Sequence, residues 1–308
     1  MRTQKKWARV AASTLRSEKW GPTLTGALLW CAICLWVGSG LGAAQSHAQK
    51  APAAQAESQA SEMGHPIRTI YLTGAASTWL NLPQPPYNAM VTVKIKLKEA
   101  GFHVVMDPQL PHDAVMTVVY QERPSGQFRI LEEATAVRVD VRLIREGQGV
   151  LYARTIVANP SPVPVGGLYW GTIHNLESDP YFFYLGELVK GWVDTRADAV
   201  TVLMAMLRRP YRAEGSFPEE SHGEATLRKL ARQHAIEELG RVNIPATREL
   251  LWELATRAIP EERRVAVTVL GNIGDSTFLP KLRTIAETDR NPAVQAAARA
   301  AIARIQGS

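Results

Sequence analysis

The stretch Val265–Ile305, VAVTVLGNIGDSTFLPKLRTIAETDRNPAVQAAARAAIARI, decides how the C-terminal end of this chain folds. Gly274 follows an apolar-periodic run and can take the left-handed position that ends a helix. Asp275 or Ser276 can cap the next helix, and Asn291-Pro292 sets a capping side chain before a proline at a first helical position. Phe278, Leu279, Leu282, Ile285 and Ala286 share one helical face, and Val294, Ala297, Ala298, Ala301, Ile302 and Ile305 share another. Lys281, Arg283, Glu287, Arg299 and Arg304 fall largely elsewhere. The stretch also repeats its neighbourhood. Ala266, Leu270, Gly271 and Ile273 echo Ala235, Leu239, Gly240 and Val242 at an offset of 31 residues, and Ala298, Ile302 and Ile305 form a weaker copy at an offset of 32. A fixed period of about 30 residues, carried by helix-forming side chains, signals stacked helical hairpins.

This pattern resembles the HEAT and HEAT-like (phycobilisome-lyase-type) repeat. The family core is an alanine, three residues on a Leu-Gly-x-Ile-Gly-Asp run, a second helix, a short turn and a valine-alanine helix. Leu270, Gly271, Ile273, Gly274, Asp275, Leu279, Leu282, Asp289, Pro292, Val294 and Ala298 match it, whereas Gln295 stands where the family usually has arginine. The resemblance implies one full repeat with flanking halves. Upstream, Ser221-His222-Gly223-Glu224 has capping-box spacing for a helix ending near Gly240, and Pro245 and Pro260 can each start another. Five helices are expected between 222 and 306. Each offers four to six apolar side chains, worth roughly 1.5–3 kcal/mol apiece when buried. Ordering costs about 1–2 kcal/mol per backbone residue, so a lone hairpin does not break even. So few repeats need a neighbour, and the preceding domain is expected to cover one end of the stack.

The N-terminus reads as a targeting segment. Residues 1–20 carry Arg2, Lys5, Lys6, Arg9, Arg16 and Lys19 against Glu18, and an uncharged, mainly apolar run follows from Gly21 to Ala44. Small residues then stand at cleavage spacing, which fits a bacterial-type secretory signal over 1–48. The run is also long enough to span a bilayer at about 20 residues, so an uncleaved anchor, with membrane association through 21–44, is the alternative. Both cysteines, Cys31 and Cys34, lie inside it, flanked by Trp30 and Ile33 rather than the small residue a lipidation site needs. The whole chain is +6, but residues past 48 hold 29 basic against 28 acidic side chains, which removes the case for nucleic-acid binding. Residues 49–66 read as a flexible linker.

Residues 67–210 are expected to form an α+β domain with a small mixed or antiparallel sheet and packed helices. Residues 211–221 would then link it to the all-α stack over 222–308. Strand candidates are Ile67–Leu72, ended by Gly74, then Phe102–Met106, Ala114–Tyr120, Ala136–Ile144 and Val150–Ala158, with Gly147-Gln148-Gly149 as a hairpin turn. In Ala136–Ile144, Val137, Val139, Val141 and Leu143 alternate with Arg138, Asp140 and Arg142, as in a sheet with one wet face. Residues 88–101 admit both periods, and a helix is favoured, giving the order β-α-β-β-β-β. The region 67–160 loosely resembles small periplasmic envelope accessory domains, which implies partner binding without catalysis. Residues 159–181 are expected to be a long loop whose Tyr169 and Trp170 are candidate contacts for a partner or membrane surface or else fold back over the sheet, with Phe182 and Phe183 folded over the sheet. One helix is expected over 182–209, packed on the sheet.

Catalytic signals are weak. None of the seven histidines pairs with another at helical metal spacing. His112-Asp113 with Asp107 nearby fits a turn better than a metal site. Glu132-Glu133 fits a solvated turn, and Glu261-Glu262-Arg263-Arg264 a solvated helix start with acids at the positive dipole end. No catalytic, cofactor-binding or metal-ligating residue is assigned. The reading is an exported, non-enzymatic scaffold in the bacterial envelope, periplasmic or anchored to the inner membrane, holding an unidentified protein. A membrane-tethered accessory of a transport or assembly complex and an enzyme or lyase-like subunit are the alternatives.

Overall fold

A computed structural model describes residues 66–80, 82–125, 134–160, 167–211 and 222–307. The expected targeting segment, almost all of the expected tether over 49–66 and of the expected linker over 211–221, Glu132 and Glu133 lie outside these residues. The first half is built on a five-stranded mixed sheet: β1 (Thr69–Ser77), β2 (His103–Val105), β3 (Ala114–Pro124), β4 (Thr135–Arg145) and β5 (Gly149–Ala158). Their order is β2-β1-β3-β4-β5. β1 runs parallel to β2 and β3, while β3, β4 and β5 form an antiparallel meander. Helix α1 (Ala89–Glu99) crosses over from β1 to β2.

Residues 88–101 are helical because only a helix separates their apolar side chains usefully. Ala89, Val93 and Leu97 are buried, whereas Val91 and Ile95 are about half exposed, at 50% and 51%. The Asn88 side-chain oxygen Oδ1 accepts from Val91 N at 3.3 Å and caps the start. Gly101, at φ +96°, turns the chain back into β2. In β3 and β4 the alternation holds along the whole strand, with Met116, Val118, Tyr120, Val137, Val139, Val141 and Leu143 buried under the helices.

Three expectations are corrected. β1 does not stop at Gly74. It runs on to Ser77, and a Cβ on Gly74 would sit 2.0 Å from the Val118 carbonyl oxygen, so the glycine serves close strand approach rather than termination. The expected loop over 159–181 contains helix α2 (Gly167–Ser178). Its glycine, aromatic and β-branched content gives low helix propensity, but Ile173 and Leu176 bury against β4 and β5, and packing overrides propensity. The single helix expected over 182–209 is three: α3 (Pro180–Phe183), α4 (Leu185–Thr195) and α5 (Ala199–Arg208). Arg196 takes a left-handed φ of 55° and the Asp198 carboxylate accepts from Thr201 N at 2.7 Å, a break with neither glycine nor proline to announce it. α4 lies against α1 and β5, while α5 packs between α4 and the stack rather than on the sheet.

The second half consists of α6 (His222–Val242), α7 (Pro245–Arg257), α8 (Pro260–Ile273), a 3-10 turn at Ser276–Phe278, α9 (Leu279–Thr288) and α10 (Pro292–Gly307). The caps are those expected. Gly274 ends α8 at φ 76°, Asp275 accepts from Thr277 N at 2.9 Å, and Asn291 accepts from Ala293 N at 2.9 Å. Gly240, however, lies inside α6, and the period explains it. A Cβ on Gly240 would meet Val269 Cγ1 at 2.2 Å, and one on Gly271 would meet Ala301 Cβ at 2.5 Å. The repeated glycine is where each first helix of a hairpin touches the next, so α6, α8 and α10 form one tight layer. The front of the stack is covered by α2, α3 and α5, which pack on α6. There His234 Nδ1 lies 3.0 Å from the Ser178 carbonyl oxygen, the Tyr181 hydroxyl donates to Glu238 Oε1 at 3.0 Å, and Arg154 stacks 3.4 Å over the Tyr181 ring. One hydrophobic core runs through both halves.

Candidate functional site

Tyr169 and Trp170 share the first turn of α2 and part company there. The Tyr169 hydroxyl donates to Glu122 Oε1 at 2.7 Å and accepts from Tyr87 N at 3.2 Å. Glu122 is 4% exposed, and its Oε1 also accepts from the Tyr120 hydroxyl at 2.8 Å. Among the described residues its Oε2 has no hydrogen-bond partner. The Tyr87 hydroxyl lies 2.9 Å from Thr92 Oγ1 and 3.1 Å from Glu177 Oε1. Burial, and then the Tyr169 and Glu122 groups beside it, push the Tyr120 phenol far above its ordinary range; burial and Glu122 do the same to Tyr169. Tyr169 therefore ties α2 to β3 and to the segment before α1. Trp170 is 48% exposed and meets the Tyr169 ring edge-on at 5.3 Å. Phe182 is buried and Phe183 partly so, with Lys96 Nζ 4.8 Å over the Phe183 ring and donating to its carbonyl oxygen at 3.2 Å.

The other sequence candidates have structural partners. Asp113 accepts from Arg68 N and Thr69 N, both at 2.8 Å. Burial works against ionisation there, but these two hydrogen bonds hold the carboxyl below the usual range. His112 Nδ1 lies 2.8 Å from the Leu110 carbonyl oxygen, and its ring packs on Tyr71. Among the described residues no three His, Cys, Asp or Glu side chains gather as a metal site. The run Glu261–Arg264 is only half solvated. Glu262 is 1% exposed, and Arg263 binds Asp289 through two hydrogen bonds of 2.9 Å.

Those ion pairs belong to a repeating device. Arg232 Nε donates to Glu262 Oε1 at 2.5 Å, while Nη1 and Nη2 donate to the Met206 and Leu207 carbonyl oxygens at 3.2 Å each. One period later Arg263 binds Asp289 and donates to the Ala258 carbonyl oxygen at 2.9 Å. One period later again Gln295 Nε2 donates to the Asp289 carbonyl oxygen at 2.8 Å. Each side chain satisfies orphan carbonyls at the end of the preceding helix, favourably for a cation because the dipole is negative there. The arginines also reach across to a carboxylate. Gln295 keeps the carbonyl contact alone, and among the described residues no later helix offers it a carboxylate. The same device sets α5, ending at Arg208, in the place that α7 and α9 hold in the later hairpins.

The stack carries open clefts, one of them between α7 and α9. A groove of about 470 Å³ separates them, with Trp252, Ala255 and Ile285 among its apolar lining and Arg263, Lys281, Asp289 and Arg290 among its charged lining. Lys281 Nζ lies 5.0 Å over the Trp252 ring. A second valley, about 570 Å³, runs between α6 and α8 past Gly240, with Glu237, Arg241 and Arg264 on its walls. Sequence reasoning did not single out Glu122, Arg232, Trp252 or Lys281. Arg232 and Arg263 do stand one period apart, which is a readable signal; Glu122 continues the inward alternation of Ala114, Met116, Val118 and Tyr120, which a strand candidate ending at Tyr120 cut short.

Comparison with known proteins bears on the second half. The family described as HEAT repeats matches residues 226–303, so the C-terminal third is a HEAT-repeat segment joined to an α+β domain. No curated protein matches the chain. Among solved structures, a PelC dodecamer from Paraburkholderia phytofirmans aligns with 39% of this chain and 86% of that one, at 14% identity and a TM-score of 0.28.

Proposed function

We propose that this protein is an exported, non-enzymatic scaffold that holds another protein in the bacterial envelope. The observation that carries the reading is the groove between α7 and α9, floored by a tryptophan, in a stack whose glycines at 240 and 271 hold α6, α8 and α10 in one layer. A stack of this kind gives an extended surface, and large amphipathic side chains in a cleft are what partner recognition uses. Export rests on the basic N-terminus and the apolar run from Gly21 to Ala44. Among the described residues no helix is long and apolar enough to cross a membrane, and that run lies outside them.

The test is affinity capture by the full chain from bacterial envelope extracts at physiological salt. A specific partner is expected. Leu270→Asp, which places a charge at a fully buried position between repeats, should unfold the stack and lose that partner. Recovery of background proteins alone would sink the reading. A tethered accessory role is favoured instead if sequencing of the mature N-terminus finds Met1 intact.

A further inference from the structure

The groove between α7 and α9 has unpaired positive charge beside an apolar floor. Three cations and one carboxylate line it: Arg263, Lys281, Arg290 and Asp289. Arg263 already holds Asp289 through both oxygens, so that pair is neutral. Lys281 and Arg290 are exposed and have no carboxylate partner among the described residues. Lys281 is held at the groove by two rings, 5.0 Å from the Trp252 centroid and 5.8 Å from that of Phe278. The Thr256, Thr284 and Thr288 hydroxyls donate to carbonyl oxygens of their own helices, so they add no unmet donors to the walls. The volume, about 470 Å³, is that of an open cleft of ligand size. The valley between α6 and α8 differs, because it mixes Glu237 with Arg241 and Arg264.

We propose that this groove docks an acidic peptide segment of the partner protein. One aliphatic or aromatic side chain enters against Trp252, Ala255 and Ile285, and flanking carboxylates meet Lys281 and Arg290. The inference rests on the scaffold reading and names the chemistry of its partner. Carboxylates fit better than phosphates. A nucleic-acid strand needs a track of cations along its backbone, and here two unpaired cations flank an apolar floor. The charge contacts are at the rim, so they set orientation and salt dependence, while the ring and the aliphatic floor supply the anchor.

The experiment is fluorescence anisotropy on the full chain with a labelled peptide alternating Glu and Leu. A Lys and Leu peptide of equal length and an oligothymidylate serve as comparators. The Glu/Leu peptide is expected to bind, more weakly as salt rises, and the comparators to bind at least about tenfold less well. Lys281→Glu combined with Arg290→Glu changes exposed positions only and should weaken binding about tenfold or more, with the far-UV helical signal unchanged. Arg264→Glu, in the other valley, should leave affinity within about twofold. No binding of the Glu/Leu peptide, equal binding of either comparator, or a double variant that binds like the parent would overturn the proposal. The two readings separate cleanly. If the double variant captures the envelope partner as well as the parent does, the groove assignment fails while the scaffold reading stands. Selective peptide binding with only background capture supports the groove and overturns the scaffold reading.

Discussion

Each half of this molecule buries a glutamate, and the two are treated differently. Glu262, in the stack, is met at both oxygens by the Arg232 guanidinium, which also closes two helix-end carbonyls. Glu122, in the sheet domain, is met at one oxygen by two tyrosine hydroxyls, and its other oxygen has no partner among the described residues. The stack solution recurs in part at the repeat spacing and joins elements one or two apart in the chain. The sheet solution is used once and gathers Tyr120 and Glu122 of β3, Tyr169 of α2 and Tyr87 from the segment before α1. A repeat can copy a fully satisfied polar contact, whereas a non-repeating domain assembles one from whatever its topology brings together.

That contrast can be broken by mutation. The largest effect is expected for Arg232→Ala, which strands a buried carboxylate and the Met206 and Leu207 carbonyls. A loss of about 3–5 kcal/mol is expected by denaturant unfolding, and a loss comparable to that of a surface change would mean the pair is not a linchpin of the stack. Gly271→Leu comes next. The added side chain has no room against Ala301, and forcing α8 away from α10 should cost about 3 kcal/mol or more. A melt of that variant in which the sheet domain outlasts the helices would show how far the shared core couples the halves.

Tyr169→Phe should cost less, about 1–2 kcal/mol, because it removes the hydrogen bonds to Glu122 and from Tyr87 N but leaves the ring in place. If it costs nothing, the tyrosine cluster does not anchor α2. The smallest effect concerns acid. The Arg263 hydrogen bonds, with Asn291 N, outweigh burial and hold Asp289 below the usual carboxylate range. The unfolded chain then binds that proton more readily than the folded one. The stability Asp289 adds is complete above about pH 4 and is lost as pH falls through its lowered folded value. Unfolding midpoints measured down the acid limb should fall less steeply for Asp289→Asn; an unchanged slope would rule the pair out as a source of acid sensitivity.

Much of the stack was legible in the residues. Gly274, Asn291-Pro292, Pro245 and Pro260 fix helix ends through local backbone chemistry, and five helices stand where they were expected. The mixed sheet was legible for the same reason, since the alternation in β4 is a local pattern. The helix over 167–178 and the break at Arg196 were not, because α2 exists by virtue of the strands beneath it and the break is set by what α4 and α5 pack against. Tyr169 and Trp170 stood out as aromatics in sequence, yet nothing in their spacing told that one turns inward to Glu122 and the other out to solvent.

The amino-acid sequence alone determined that the chain ends in paired helices too small to stand singly, that an alternating sheet precedes them, and that its excess positive charge sits before residue 49. Tertiary structure alone decided how the two buried glutamates are partnered, where clefts open along the stack, and that Lys281 comes to rest over Trp252. The first set follows from periodicity and backbone preference, which act over a few residues. The second depends on helices of different hairpins meeting, and the distance between α7 and α9 is not written in either of them.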